Sequence, residues 1–205
     1  MALSAKFPTY RENSAQGQIN LLSDTIKFCA IDIDDIGLGI SGATNVSPIV
    51  ITTASAHGYA NDEEVLIWGV AGNTAANGAW KIANVTSSTF ELVGSTGNGS
   101  YSGGTDYALN LNDLEFLGDI TAGARIAVSS ALSNKAITNG YFTANNPTFT
   151  APSGDAFELL ALFKDTGDPA TSPLIIISAD SPSFPVSPNG VDDIEIIIND
   201  FIFRQ

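Results

Sequence analysis

Cations, histidine and cysteine are scarce in this sequence. Eight Lys and Arg stand against 22 Asp and Glu, and 205 residues include one His and one Cys. The formal net charge of −14 repels a phosphate backbone, so nucleic-acid binding is not expected. An anionic membrane surface is disfavoured for the same reason, whereas a partner with basic patches is compatible. His57 alone excludes a multi-histidine metal centre and confines any His-based triad to one residue. Cys29 alone excludes an internal disulfide. It lies in the apolar run Ile26-Lys27-Phe28-Cys29-Ala30-Ile31 and reads as a small buried hydrophobe. Long apolar runs are also missing: the longest clean one, Leu174 to Ile177, is far too short to span a bilayer. The opening MALSAKFPTYRENSAQ has no apolar h-region, so no secretory leader is expected and the product is expected to be cytosolic when made.

Ser, Thr, Asn, Gly and Ala fill the space that charge leaves, which favours short strands and tight turns over helices. Thr25 to Ile33, Ile49 to Thr53, Glu64 to Trp68, Ala79 to Val85 and Thr89 to Val93 read as strands bounded by Gly, Asn, Asp or Ser. So do Tyr107–Leu117, Ala124–Ser130, Lys135–Phe142, Thr148–Ala151, Ala156–Lys164, Leu174–Ser178 and Ile194–Phe203. Asn139-Gly140 and Asn189-Gly190 are hairpin-type pairs. Residues 36–47 are Gly- and Ser-rich and read as a linker or hairpin; residues 94–105, with five Gly in twelve, read as loop. Tyr10 to Gly17 has room for one short turn of helix. The expectation is an all-β chain, a jelly-roll-like β-sandwich from 1–46 and 104–205 with a small β-barrel, 47–103, inserted in an early loop. Such an insertion costs little when its ends lie close together.

The barrel segment carries several motifs in fixed order. Thr52-Thr53 leads to His57-Gly58; Gly72-Asn73 precedes Ala75-Ala76-Asn77-Gly78 and Trp80; Thr89-Phe90-Glu91-Leu92 runs into Gly94-Ser95-Thr96-Gly97-Asn98-Gly99 and Tyr101. In this the segment from Val50 to Tyr101, about a quarter of the chain, resembles the small β-barrel related to the first catalytic-cysteine half-domain of ubiquitin-activating enzymes, which recurs in bacteriophage virion proteins. The resemblance brings no ubiquitin chemistry, because the segment has no cysteine. The flanks INLLSDTIKFCAID, LLALFKDTGDPATSPLIIIS and VSPNGVDDIEIIINDFIF are similar to structural proteins of tailed phages. The resemblance implies a virion protein that acts by assembly with other phage proteins.

Read residue by residue, Asn77-Gly78 supplies a tight hairpin turn, Trp80 packs beneath it, and Gly72-Asn73 makes the preceding reversal. His57 reads as a turn histidine whose ring nitrogen bonds a backbone carbonyl. Asp32, Asp34 and Asp35 depart from the calcium-loop pattern, because Ala43 stands at position twelve, where a glutamate is needed. Strand alternation would put Asp32 and Asp34 on one face, with Ile31 and Ile33 toward the core. Asp192, Asp193 and Glu195 form a similar cluster. Asp165, in Lys164-Asp165-Thr166-Gly167-Asp168, reads as an Asx turn. No metal, cofactor or catalytic residue is expected.

The reading that absorbs most of these features is a non-enzymatic structural component of a tailed phage particle (capsid, neck or tail), assembled in the host cytoplasm as a homo-oligomer, a trimer by preference. Assembly contacts are expected from Phe7, Tyr10, Phe201 and Phe203. The alternative is a host-receptor or glycan-binding module with Trp68, Trp80 and Tyr101 as its platform. An enzyme such as a surface depolymerase would need a carboxylate cluster with raised pKa in a cleft, and no motif singles one out.

Overall fold

The computed structural model describes residues 4–181 and 183–198. Strand makes up 35% of the chain and helix 9%, which places it in the all-β class. The chain divides into two compact units, one of Met1–Ala5 with Ile33–Asp113 and one of Lys6–Asp32 with Leu114–Gln205. Strand β1 (Ser4–Lys6), helix α1 (Pro8–Ala15) and strand β2 (Ile26–Ile31) come first in the sequence.

The first unit contains a closed six-stranded barrel. Its strands are β3 (Leu38–Ala43), β4 (Ile49–Thr53), β5 (Glu64–Trp68), β6 (Gly78–Ala83), β7 (Thr89–Leu92) and β8 (Tyr107–Asn110). Around the barrel they run β3-β4-β7-β6-β5-β8, and β8 pairs back onto β3 through Leu38 with Ala108 and Gly39 with Tyr107. Period-2 alternation does the building. Ile49, Ile51 and Thr53 of β4 point inward, as do Trp80 and Ile82 of β6 and Phe90 and Leu92 of β7. Each fully buried aliphatic or aromatic side chain contributes about 1.5–3 kcal/mol, so this interior is the unit's main source of stability.

The barrel is wider in sequence than 47–103, because β3 and β8 complete it. Residues 36–47 have the composition of a linker, since Gly39, Ser41 and Gly42 dilute the strand signal. Just before β3, Gly37 leaves no room for a side chain, since a Cβ there would meet Ile33 O and Tyr107 Cβ at 2.8 Å, whereas one on Gly42, beside the irregularity between Ile40 and Gly42, would make an ordinary contact with Thr52 at 3.6 Å.

In the second unit, the main sheet carries β14 (Leu174–Ser178), β13 (Leu159–Lys164), β2 and β9 (Arg125–Val128) in that order, all antiparallel. β13 and β14 are buried almost residue by residue, which is why LLALF and LIIIS are continuous apolar runs without alternation. Helix α1 packs near β14; Phe7 N–H donates to Ile175 O at 3.1 Å. Pro8 opens the helix where a missing N–H does no harm. Gly17, at φ +72°, closes it, with Gly17 N–H on Ser14 O and Gln18 N–H on Asn13 O. The helix is longer than the single turn expected and begins two residues earlier.

Two ribbons complete the unit: β10 (Ala136–Thr138) with β11 (Tyr141–Thr143), and β12 (Thr148–Phe149) with β15 (Ile194–Glu195). Asn139 and Gly140 turn the first at φ +53° and +81°, as an Asn-Gly pair does in a two-residue hairpin. Asn189-Gly190 does not turn a hairpin: the Asn189 carboxamide oxygen accepts from Val191 and Asp192 N–H, making a local loop instead.

Candidate functional site

Three connections meet at one end of the barrel: 44–48, 69–77 and 93–106. Side-chain amides and hydroxyls tie them together. Asn73, fully buried, donates from Nδ2 to Thr44 O at 2.8 Å and accepts from Asn98 N–H at 3.0 Å. Asn98 accepts in turn from Ala75 N–H and donates to Thr74 Oγ1, both at 3.0 Å. Asn77 clamps Val70 at both its N–H and its C=O, at 2.9 and 2.8 Å. Ser95 accepts from Ile49 N–H at 2.8 Å and donates to Leu92 O at 2.7 Å.

The Asn77-Gly78 pair is therefore no tight turn. Asn77 is extended, at φ −66° and ψ 137°, after the short 3-10 turn Thr74–Ala76. Its side chain closes the longer 69–77 connection from within. Gly72 does make a reversal at φ +75°, and a Cβ there would stand 1.9 Å from Ser100 O. Only glycine allows the two connections to approach so closely.

A cleft of about 560 Å³ lies here, lined by Thr74, Ala75, Asn77, Trp80, Gly94, Ser95, Thr96 and Asn98. A sugar needs free donors and acceptors around an exposed ring face. The amide groups of Asn77 and Asn98 and the hydroxyl of Ser95 are committed to the chain itself. Trp80 is 8% exposed, belongs to the barrel core and donates from Nε1 to Ala76 O at 2.7 Å. Trp68 is half-buried, and Tyr101 packs against the core. The expected platform of Trp68, Trp80 and Tyr101 is corrected accordingly: one indole forms core, and the tyrosine is held inward by its hydroxyl.

That hydroxyl lies 3.1 Å from Ile40 O and 2.8 Å from Asp106 Oδ2. Asp106 is 4% exposed, and its Oδ1 is buried without a hydrogen-bond partner. Burial holds the Asp106 carboxyl above its ordinary range, opposed by the Tyr101 hydrogen bond. Burial and the adjacent Asp106 together push the Tyr101 phenol up to about 12. Asp106 is not singled out by any motif; the one signal available in the sequence is a lone acid ending the glycine-rich run. Asn73 reads there only as a turn residue.

At His57, Nδ1 accepts from Tyr59 N–H at 3.0 Å, the reverse of the expected bond to a carbonyl. The ring packs on Tyr59 and Phe90, at centroid distances of 4.5 and 5.4 Å. Tyr59 donates to Ala108 O at 3.3 Å, and burial, reinforced by Asp113 and Glu63, pushes its phenol up to about 12. These contacts fasten the 54–63 connection to the barrel wall.

Several of the remaining candidates are engaged within the chain. β2 ends at Ile31; beyond it Asp32 and Ile33 are both buried and Asp34 is exposed. Asp192 accepts from Asn189 Nδ2 at 2.7 Å and Asp193 from Ala151 N–H at 2.9 Å. Asp165 accepts from Gly167 N–H at 3.0 Å, as an Asx turn requires, and pairs with Lys27 at 2.6 Å; these contacts hold its carboxyl below the usual range. Cys29 is buried, with its thiol pushed up to about 12 by burial, as expected of a core cysteine. Phe7 and Tyr10 are buried within the second unit, so their rings serve its core rather than lying open to a partner. Phe201 and Phe203 lie outside the described residues. A second cleft, of about 300 Å³, is walled by Phe149, Phe157, Leu160, Phe184, Val186 and Ile194, and is predominantly apolar.

No protein-family model matches the chain, and no curated protein matches it. Among the described residues, no helix is long and apolar enough to cross a membrane.

Proposed function

We propose that this chain is a non-catalytic structural component of a tailed phage particle, in which a jelly-roll-like β-sandwich attaches to neighbouring virion proteins and the barrel is an inserted, projecting module. The observation that carries the reading is a contrast between the two units. The barrel is closed, so its strands leave no open edge for a neighbour to extend. Of the eight large apolar residues exposed among the described ones, six belong to the second unit: Leu22, Val128, Ile137, Tyr141, Val191 and Ile197. Val128 lies on β9, the last strand of the main sheet, and Ile137 and Tyr141 on the β10–β11 ribbon. Strand edges beside exposed apolar side chains are the means by which β-proteins add to one another. A closed homo-oligomer is the usual outcome of such self-association, and a trimer is the form proposed here.

Quantitative mass spectrometry of density-purified phage particles from a producing culture tests this. Recovery of the chain in fixed proportion to the major capsid protein supports the assignment. Abundance in the lysate with absence from the particles refutes it.

A further inference from the structure

Proton counting at the Tyr101 hydroxyl leads beyond assembly. A phenol carries one hydrogen, yet its oxygen lies within hydrogen-bond distance of two groups, Ile40 O at 3.1 Å and Asp106 Oδ2 at 2.8 Å. A carbonyl oxygen only accepts, so the contact with Ile40 is satisfied only when the phenol donates there. The contact with Asp106 then needs a hydrogen from the carboxyl. An ionised Asp106 supplies none, and it would also leave Oδ1 charged and unpartnered in a buried site, the costliest state for such a group.

We propose that Asp106 is protonated in the folded barrel and that, with Tyr101 and Ile40, it forms a pH-sensitive clasp on the glycine-rich 94–105 connection. In the closed form Asp106 Oδ2–H donates to Tyr101 Oη, and Tyr101 O–H donates to Ile40 O. Ile40 N–H donates to Asp106 O at 2.9 Å, so the three residues tie the end of the connection to β3. When the carboxyl gives its proton to solvent, Tyr101 has one hydrogen for two acceptors. It turns to the carboxylate and lets go of Ile40, and the connection is held by one bond fewer. The device closes on the acid side and loosens as pH rises.

Few charges bear on it. β3, β4 and the 69–77 connection contain no ionisable residue, and Tyr101 is the one ionisable residue of 94–105. On β5, Glu64 is opposite Lys81, toward the end where Val65 pairs with Asn110; Asp106 adjoins the other end, where Trp68 pairs with Tyr107. Lys81 is itself 2.7 Å from Asp62. Toward that end the other titratable groups are Tyr107, the next residue, and the exposed Asp34 and Asp35 of the 33–37 connection that lies against it.

The test is a pH titration of the full chain labelled with 13Cγ-aspartate, alongside amide exchange of residues 100–105 corrected for the intrinsic pH effect. The Asp106 carboxyl is expected to titrate above the exposed aspartates, and exchange to quicken roughly tenfold through the same midpoint, the effect of one lost hydrogen bond. Asp106→Asn, whose amide donates as the neutral acid does, should keep exchange slow at every pH. Tyr101→Phe should make it fast at every pH. An Asp106 carboxyl that titrates with the exposed aspartates overturns the proposal, as does exchange that ignores its midpoint. Because these two readouts use the unaltered chain, they decide even if a variant fails to fold.

Discussion

Replacing Asn73 tests whether one buried carboxamide holds the barrel's loop end together. Alanine at this position strips Thr44 O and Asn98 N–H of their partners and leaves a small void. A buried polar group left unpaired costs about 1–3 kcal/mol. Thr44 and Asn98 are themselves exposed residues, so water can reach part of what the alanine abandons, and the expected loss is about 2 kcal/mol. An aspartate substitution is the sharper probe. Asn73→Asp preserves shape and the acceptor for Asn98, but it sets a second acceptor against Thr44 O and puts a charge where exposure is zero. Its expected cost is about 3 kcal/mol or more. Both tryptophans, Trp68 and Trp80, belong to the barrel unit, so urea unfolding followed by tryptophan fluorescence reads this unit specifically. With a slope of about 1–3 kcal/mol per M, the alanine midpoint should fall by roughly 1 M and the aspartate midpoint further. An aspartate variant no less stable than the alanine variant would show that Asn73 donates nothing of consequence to Thr44, and the reasoning would fail.

Further outcomes follow from the same geometry. Gly72→Ala must place a Cβ 1.9 Å from Ser100 O at φ +75°; a loss of at least about 2 kcal/mol is expected on the same fluorescence assay. Trp80→Phe should cost about 1 kcal/mol through the Ala76 hydrogen bond and lost packing, and Trp80→Ala about 3–5 kcal/mol. Cys29, with its thiol pushed up to about 12, should stay inert to iodoacetamide at pH 8 in the folded chain and react at the unfolding rate in urea. Asp165 has a folded pKa below its unfolded value, held there chiefly by Lys27. Its stabilisation is therefore present above the ordinary carboxylate pKa of about 4 and is lost as pH falls through the folded value. Asp165→Asn should remove that part of the acid dependence, measured as thermal midpoints from pH 6 downward.

Sequence pattern reveals most where a strand answers to one rule. Ile49–Thr53 alternates because one face is core, and Glu64–Trp68 and Leu174–Ser178 have clear turn residues on either side; all three strands have those bounds. Asn139-Gly140 turns a ribbon because its short loop leaves no other geometry. The failures come from partners that a local pattern does not display. β3 looks like linker because its small residues hide a strand whose partners, Tyr107 and Ala108 of β8, lie far along the chain. Asn77-Gly78 has the composition of a hairpin turn, but the Asn77 side chain satisfies Val70, and that bond overrides the local preference. For the site, the packing of Trp80 beneath the loop is legible from its place just after the turn residues. Tyr101 reads as a platform because its hydroxyl's partners, Ile40 and Asp106, are visible only once the barrel closes.

The pairing of Leu38 with Ala108 and of Gly39 with Tyr107 has a consequence for how this protein can be cut and rejoined. The barrel's first and last strands are neighbours, so the segment from 33 to 113 begins and ends at almost the same place on its own surface. Excised at those limits it should tolerate head-to-tail cyclisation or new termini in the 54–63 connection, since joining adjacent ends requires little chain. Excised at 47 and 103 it would lose two staves, and the cylinder would open.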